Sequence, residues 1–193
     1  MIEKLIEYLR KLNPVNAELE EKIRTTARIN TFPAGRFLLK DGQVCDKACV
    51  ILEGITRSFY QLEGKDVTSR FMLEGDIITS WMSYYKQQPG NEFIECLETT
   101  TLGCLSYPAI QRLYHEHVDF NTIGRKQVEY ALYSSEQRTQ TLRSHSAEER
   151  YRLFFEYHPD LIQRVPLKHI ASYLGMSEET LSRVRTKFHN SNK

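Results

Sequence analysis

The chain of 193 residues has no histidine before His115, one tryptophan (Trp81) and four cysteines. No apolar run approaches the ~18 residues a membrane-crossing helix needs. The opening stretch, MIEKLIEYLRKL, carries charges throughout and so is no secretory leader. Cys45, Cys49, Cys96 and Cys104 match no iron–sulfur spacing. In a chain without a leader, reduced thiols are expected rather than a disulfide framework. We expect buried cysteines that act as small hydrophobes, with a redox role for Cys45 left open. Charge of one sign is also missing, since 26 Lys+Arg nearly balance 25 Asp+Glu. The chain as a whole is no polycation. These shortages together favour the cytoplasm.

The charge is nevertheless uneven. Residues 161–193 hold six basic and two acidic residues, while 1–160 hold twenty and twenty-three. A basic end on a mildly acidic body fits a nucleic-acid-reading tail.

Within that end, Val165 to Phe188 reads VPLKHIASYLGMSEETLSRVRTKF. Pro166 suits a first helical turn, where its missing N–H goes unmissed. Ile170, Ala171 and Leu174 share a face at helical spacing. Gly175 suits the left-handed stop between two helices, and Met176 is expected to be buried in that turn. Ser177 is an N-cap for the second helix, with Glu178 and Glu179 at its positive end. Leu181 and Val184 turn inward. Glu178, Glu179, Ser182, Arg183 and Thr186 are left outward. The pattern is a helix-turn-helix. Arginine can bond guanine O6 and N7 together, and glutamate can accept from cytosine N4. Those five residues are the candidate base readers. Lys168, Ser177, Arg185 and Lys187 are the candidate phosphate contacts, and Lys193 adds charge beyond them.

Upstream, residues 2–12 predict an amphipathic helix that Asn13-Pro14 ends, and Ala17–Thr26 predict a second. Seven of the nine glycines then fall between residues 35 and 103, separating β-branched and aromatic runs. The runs are Arg36–Lys40, Ala48–Glu53, Ile55–Leu62, Val67–Leu73, Phe93–Leu97 and Thr99–Tyr107. Short strands at even spacing predict a sandwich, jelly roll or barrel. Ala109–His115 predicts a short helix and Asp119–Ser144 a long one, with Gly124 its weak point. Such a helix spans something or pairs with its own copy. Phe120, Ile123, Val128, Ala131, Leu132 and Leu142 give it an imperfect apolar stripe. Another helix starts near Ser146, with Glu149 as capping-box partner.

A β-roll, a long helix and a terminal helix-turn-helix resemble the layout of the cyclic-AMP receptor protein/fumarate-nitrate regulator (Crp/Fnr) superfamily. The resemblance rests on Ile170-Ala171-Ser172-Tyr173-Leu174-Gly175 and Ser177-Glu178-Glu179-Thr180-Leu181-Ser182-Arg183. Leu52-Glu53-Gly54 and Gly75-Asp76 are weaker matches. It implies an α+β protein with three parts. These are an antiparallel, jelly-roll-like β-roll sensor domain (1–118), a connecting and dimerisation helix (119–145) and a helix-turn-helix domain (146–193). It also implies a homodimeric regulator that reads a palindromic operator in double-stranded DNA. Glu179, Ser182 and Arg183 match the family's base-contacting positions. RNA polymerase and an unidentified small-molecule effector are further candidate partners. No cofactor, metal or membrane is called for.

Two departures stand out. Only five residues follow Phe188, so a truncated wing is expected. The cyclic-nucleotide motifs are also replaced. After the Gly-Asp turn, where members carry Gly-Glu-Leu, the matching stretch reads Gly75-Asp76-Ile77-Ile78-Thr79-Ser80-Trp81, with Thr79-Ser80 in place of the ribose-binding carboxylate, and the Arg-Ser site falls near Glu92-Phe93. Trp81, Met82, Tyr85, Glu92 and Phe93, with Tyr130 and Tyr133 on the long helix, are the candidate effector pocket. The alternative is that these aromatics fill a lost nucleotide site. Two rival functions remain at this level. One is a protein-interaction module with a repurposed helix-turn-helix. The other is a cupin-like enzyme, which would need strand histidines for its metal and finds none before His115. His115 and His117, two apart, would not share a helix face and are expected to be solvent-exposed.

Overall fold

The computed structural model describes residues 1–191. Two helices open the chain, α1 (Ile2–Leu12) and α2 (Ala17–Thr26). The first buries Leu5, Ile6 and Leu9 and ends at Asn13, ahead of Pro14. The second starts at Asn16, whose side chain accepts from the Leu19 N–H at 2.8 Å.

Eight strands follow: β1 (Arg28–Phe32), β2 (Phe37–Leu39), β3 (Lys47–Glu53), β4 (Thr56–Leu62), β5 (Lys65–Met72), β6 (Ile77–Ile78), β7 (Phe93–Cys96) and β8 (Thr100–Ser106). A short helix, α3 (Trp81–Lys86), lies between β6 and β7. The strands form two antiparallel four-stranded sheets, ordered β1-β8-β3-β6 and β2-β7-β4-β5. Leu39, Met72 and Ile94 of one sheet pack with Ile51, Ile78 and Leu102 of the other in a single core. This is the expected β-roll. Its tightest corner is Gly54, at φ 102°, where a Cβ would lie 2.7 Å from the Thr99 carbonyl. Only glycine fits there.

The helical part comprises α4 (Tyr107–Glu116), α5 (Val118–Ser144), α6 (Ala147–Tyr157), α7 (Pro159–Arg164), α8 (Leu167–Tyr173) and α9 (Glu178–Ser191). The 27-residue α5 starts one residue before the predicted boundary. Gly124 is where α5 and α4 touch, because Tyr114 fills the space a side chain there would need. Ser146 and Glu149 form the expected capping box. The C-terminal helices are not a detached unit. Ile55 belongs to their core, and Phe71, Leu73 and Leu97 of the β-roll pack against it.

Several expectations need correction. The reduced-thiol expectation fails for one pair, since Cys49 and Cys104 are joined by a disulfide. The register of β3 and β8 sets them directly opposite one another, and sequence spacing gives no hint of that pairing. Cys45 and Cys96 are free and buried, as expected. His117 is buried rather than exposed, because α4 ends on it against the start of α5. Met176 is half-buried, packed on the edge of the helical core. β1, β6, α3 and α7 were not anticipated. No strand follows α9 among the described residues, and 189–191 continue the helix. Asn192 and Lys193, the end of the expected truncated wing, lie outside the described residues.

Candidate nucleic-acid interface and effector cavity

The two helices of the helix-turn-helix, α8 and α9, meet through a tight turn. Leu174 stays right-handed at φ −80° and Gly175 turns left-handed at φ 63°. The Met176 N–H donates to the Ala171 carbonyl at 3.0 Å. Arg150 of α6 donates to the Leu174 carbonyl at 2.7 Å, satisfying an acceptor that the end of α8 leaves open. Pro166 sits at the N-cap of α8, one residue before the first turn. Ile170, Ala171, Leu174, Leu181 and Val184 form the buried staple between the helices.

Ser177 caps α9 by accepting from the Thr180 N–H at 3.2 Å. The cap turns Glu178, Glu179, Ser182, Arg183 and Thr186 to solvent. A hydrogen bond from the Ser177 hydroxyl, and then Arg183, hold the Glu179 carboxyl below its ordinary range. The Thr186 hydroxyl donates to the Ser182 carbonyl at 3.0 Å. Among the phosphate candidates, Lys168, Ser177 and Lys187 are exposed, and Arg185 is half-buried on the inner side of α9. Lys187 pairs with Glu148 of α6 at 2.6 Å.

The helix-turn-helix is fastened to the β-roll by a network that sequence reasoning missed. Arg57 of β4 is only 2% exposed. It bonds Glu95 at 2.6 Å and Asp66 at 2.9 Å, and its Nη1 meets His169 Nδ1 of α8 at 2.6 Å. Since arginine only donates, Nδ1 is the acceptor and the imidazole is neutral. Burial first, then the positive charges of Arg57 and Lys168, lower the His169 pKa from 6.5 to about 4. Beside it, the Ser172 hydroxyl accepts from the Thr68 N–H and donates to the Asp66 carbonyl, both at 2.9 Å. Arg138 of α5 donates to the Thr68 carbonyl at 3.1 Å and lies over the Tyr173 ring at 3.8 Å. Lone polar residues on strand and helix faces gave no sequence signal for these partners.

A cavity of about 1270 Å³ lies between the β-roll, α3, α5, α6 and the end of α8. Five of the seven candidate pocket residues line it: Trp81, Met82, Glu92, Tyr130 and Tyr133. Tyr85 does not, and at 85% exposed it faces solvent. Phe93 is also outside it, stacked on Phe59 at 4.9 Å, because strand alternation turns it to the opposite side from Glu92. The sequence reading missed Arg70. This cation donates to the Thr79 carbonyl at 2.7 Å and lies 3.7 Å from Glu92. The Ser69 hydroxyl also donates to Glu92, at 3.2 Å. Asp76 lines the same space, and burial pushes its carboxyl up. The Trp81 indole N–H is buried with no acceptor.

Residues 29–117 match the family profile of the cyclic nucleotide-binding domain. The chain as a whole has the fold of Crp/Fnr-type regulators. It superposes on FixK2 from Bradyrhizobium japonicum with a TM-score of 0.75 at 16% identity, covering 86% of each chain. It is similar to the c-di-GMP-responsive global regulator CLP from Xanthomonas campestris, with a TM-score of 0.72 at 14% identity, covering 92% of this chain and 93% of that one. A protein from Eubacterium rectale described as a transcriptional regulator of the Crp/Fnr family gives a TM-score of 0.74 at 13% identity, covering 96% and 88%. At such identities the likeness is one of fold. No curated protein matches the chain by sequence. Among the described residues no helix is long and apolar enough to cross a membrane, and no cluster of three or more His, Cys, Asp or Glu is placed to hold a metal ion.

Proposed function

We propose that this chain is a cytoplasmic, sequence-specific DNA-binding transcription regulator. It acts as a homodimer rather than as an enzyme, and its β-roll is the sensor. The observation that carries the reading is the solvent-facing row Glu179, Ser182 and Arg183 on a capped helix, with Lys168 and Ser177 exposed beside it. Hydrogen-bonding groups on one exposed helix face suit the major groove. α5 supports the dimer, because it leaves Val128, Leu132 and Tyr133 more than half exposed on a 27-residue helix. Residues 1–118, 119–145 and 146–193 are then sensor, dimer helix and reading head. RNA polymerase is the partner a DNA-bound regulator would meet.

The effector on this reading is not cyclic AMP. A cyclic phosphate must find a cation when it leaves water. Of the cations lining the cavity, Arg70 is committed to the Thr79 carbonyl and Glu92, and Arg138 and Arg150 to the Thr68 and Leu174 carbonyls, while Glu92 itself repels the phosphate. Apolar and aromatic lining with one unsatisfied indole donor suits an aromatic ligand carrying a hydrogen-bond acceptor.

Selection from randomised duplex DNA tests the function. A palindrome with half-sites roughly 34–36 Å apart is expected, bound with strong salt dependence. Failure to enrich any sequence, or salt-insensitive retention, would favour the protein-interaction reading. Millimolar cyclic AMP should leave the melting temperature and the DNA affinity unchanged. A rise lost in Lys86→Ala would refute the argument from Glu92.

A further inference from the structure

A second cavity, of about 940 Å³, is lined by strands of both sheets, the end of α2 and α4. Three of the four cysteines line it: free Cys45 and both halves of the Cys49–Cys104 disulfide. Its rim carries Arg28, Arg36, Lys47 and Arg112, and Asp46 is the one carboxylate on its lining among the described residues. All four cations are exposed, and none of them makes a salt bridge among the described residues.

The sheet register sharpens this picture. Cys104 is directly opposite Cys49 on one neighbour and directly opposite Arg28 on the other. Residues opposite one another in antiparallel strands project to the same face. Arg28, Cys104 and Cys49 therefore form one row across three strands, with an exposed arginine on the same sheet face as the buried sulfurs. A cation next to a sulfur favours the thiolate, and a better thiolate is a better leaving group in exchange.

We infer that this cavity is a thiol–disulfide exchange site for a small anionic thiol of the glutathione class. The volume lies within the range of small-molecule sites. The rim is complementary to carboxylates, and the reacting bond lies on the lining. A glutathione thiolate attacks Cys49 Sγ. The new S–S bond forms as the Cys49–Cys104 bond breaks, and Cys104 leaves as a thiolate on the sheet face that carries Arg28, then takes a proton from water. A second glutathione thiolate attacks the glutathione sulfur of the mixed disulfide. This releases oxidised glutathione and leaves Cys49 as a thiolate that is protonated in turn. Two electrons pass from two thiols to the protein, and the reverse sequence re-forms the bond. Cys96 is outside the cavity, and burial pushes its thiol up, so it serves as the unreactive reference. The site is independent of the DNA-binding reading. It does touch the sensor, because Cys49 is also paired with Ile78 of β6, the strand that leads to α3.

The test equilibrates the native chain with glutathione or with uncharged 2-mercaptoethanol. Acid quenching, alkylation and peptide mass spectrometry then follow the two sulfurs over time. Reversible reduction below the unfolding transition is expected, with a transient glutathione adduct on this cysteine pair. Glutathione should react faster than the neutral thiol, and that preference should shrink with added salt. In Arg28→Glu/Arg112→Glu it should fall roughly tenfold, the scale of electrostatic steering. The salt series on the unmodified protein gives the same answer without any variant. Three results would each overturn the inference. These are cysteines 49 and 104 found reduced in air-equilibrated protein, a bond that yields only after denaturation, and equal rates for the two thiols at all salt concentrations.

Discussion

Acidification should loosen the joint between the β-roll and the reading head through His169. The ring accepts from Arg57 at 2.6 Å, and protonation would set two cations against each other. Lys168 also opposes the proton, and only Asp66 favours it. The folded-state value is lowered to about 4 from 6.5. Above pH ~6.5 the imidazole is neutral in both states, and its contribution to stability is complete. Between ~6.5 and ~4 the unfolded chain takes the proton and the folded one resists, so stability falls with pH. Taken at face value, the loss at pH 5 is about 2 kcal/mol. The ring is half-exposed, and solvent screening brings this to about 1 kcal/mol. For a chain of this size that is about 2–4 °C in melting temperature. His169→Gln keeps an acceptor and cannot titrate. Melting of both proteins at pH 7.5 and pH 5.0 isolates the term, because His158, whose pKa burial also lowers, is common to both. The variant should lose about 2–4 °C less on acidification. Equal losses would refute the assignment of His169 as the titrating group of the joint.

Arg183→Ala should cost about 1–3 kcal/mol on the selected operator and relax preference at one base pair per half-site; an unchanged preference in a repeated selection would count against α9 as the reading helix. Glu148→Gln removes the carboxylate that pairs with Lys187 at 2.6 Å and should tighten binding to all duplexes alike in an anisotropy titration. Glutamates at Ala131 and Leu132 should shift the dimer towards monomer in sedimentation, and a monomeric parent protein with full DNA affinity would contradict the α5 seam. Gly124→Ala places a Cβ 2.2 Å from the Tyr114 hydroxyl and should cost about 1–3 kcal/mol in urea unfolding, the usual range for overpacking, with Tyr114→Leu restoring most of it.

How much of this was legible depended on whether the signal was local. The helix-turn-helix was readable because Gly175, Ser177 and the apolar staple act within twenty residues. So was the Ser146–Glu149 capping box. The strand runs of the β-roll announced themselves by glycine turns, but β6 is two residues long and α3 has six residues and no side-chain cap. Such short pieces are held by their neighbours rather than by propensity. The Cys49–Cys104 bond joins residues 55 apart, and only the register of two strands brings them together. Arg57 reads as an ordinary strand arginine, and its burial depends on Glu95, Asp66 and His169 arriving from three other segments. Phe93 lies outside the cavity, stacked on Phe59, since one position along a strand decides which side a ring occupies.

The two ends of the proposed regulator share a strand, and that limits how an effector can act. β5 contributes Ser69 and Arg70 to the large cavity, while Thr68, one residue away, holds Ser172 and Arg138. Phe71 on the same strand packs against Tyr173 at 5.1 Å. β5 is thus wetted by the cavity through Ser69 and Arg70 and gripped by α8 through the Thr68 N–H and the Phe71 ring. A ligand that draws Arg70 away from the Thr79 carbonyl and Glu92 acts two residues from the backbone that Ser172 and Arg138 hold. Such a ligand changes DNA affinity only by the difference in its affinity for the held and released joints. Couplings of this kind are typically about 1–3 kcal/mol, comparable with the His169 term. An effector acting through β5 should therefore lose coupling, while keeping its own affinity, in Ser172→Ala, which breaks the hydroxyl bridge without touching the cavity. Equal coupling in the variant would mean the signal leaves the cavity by α5 instead.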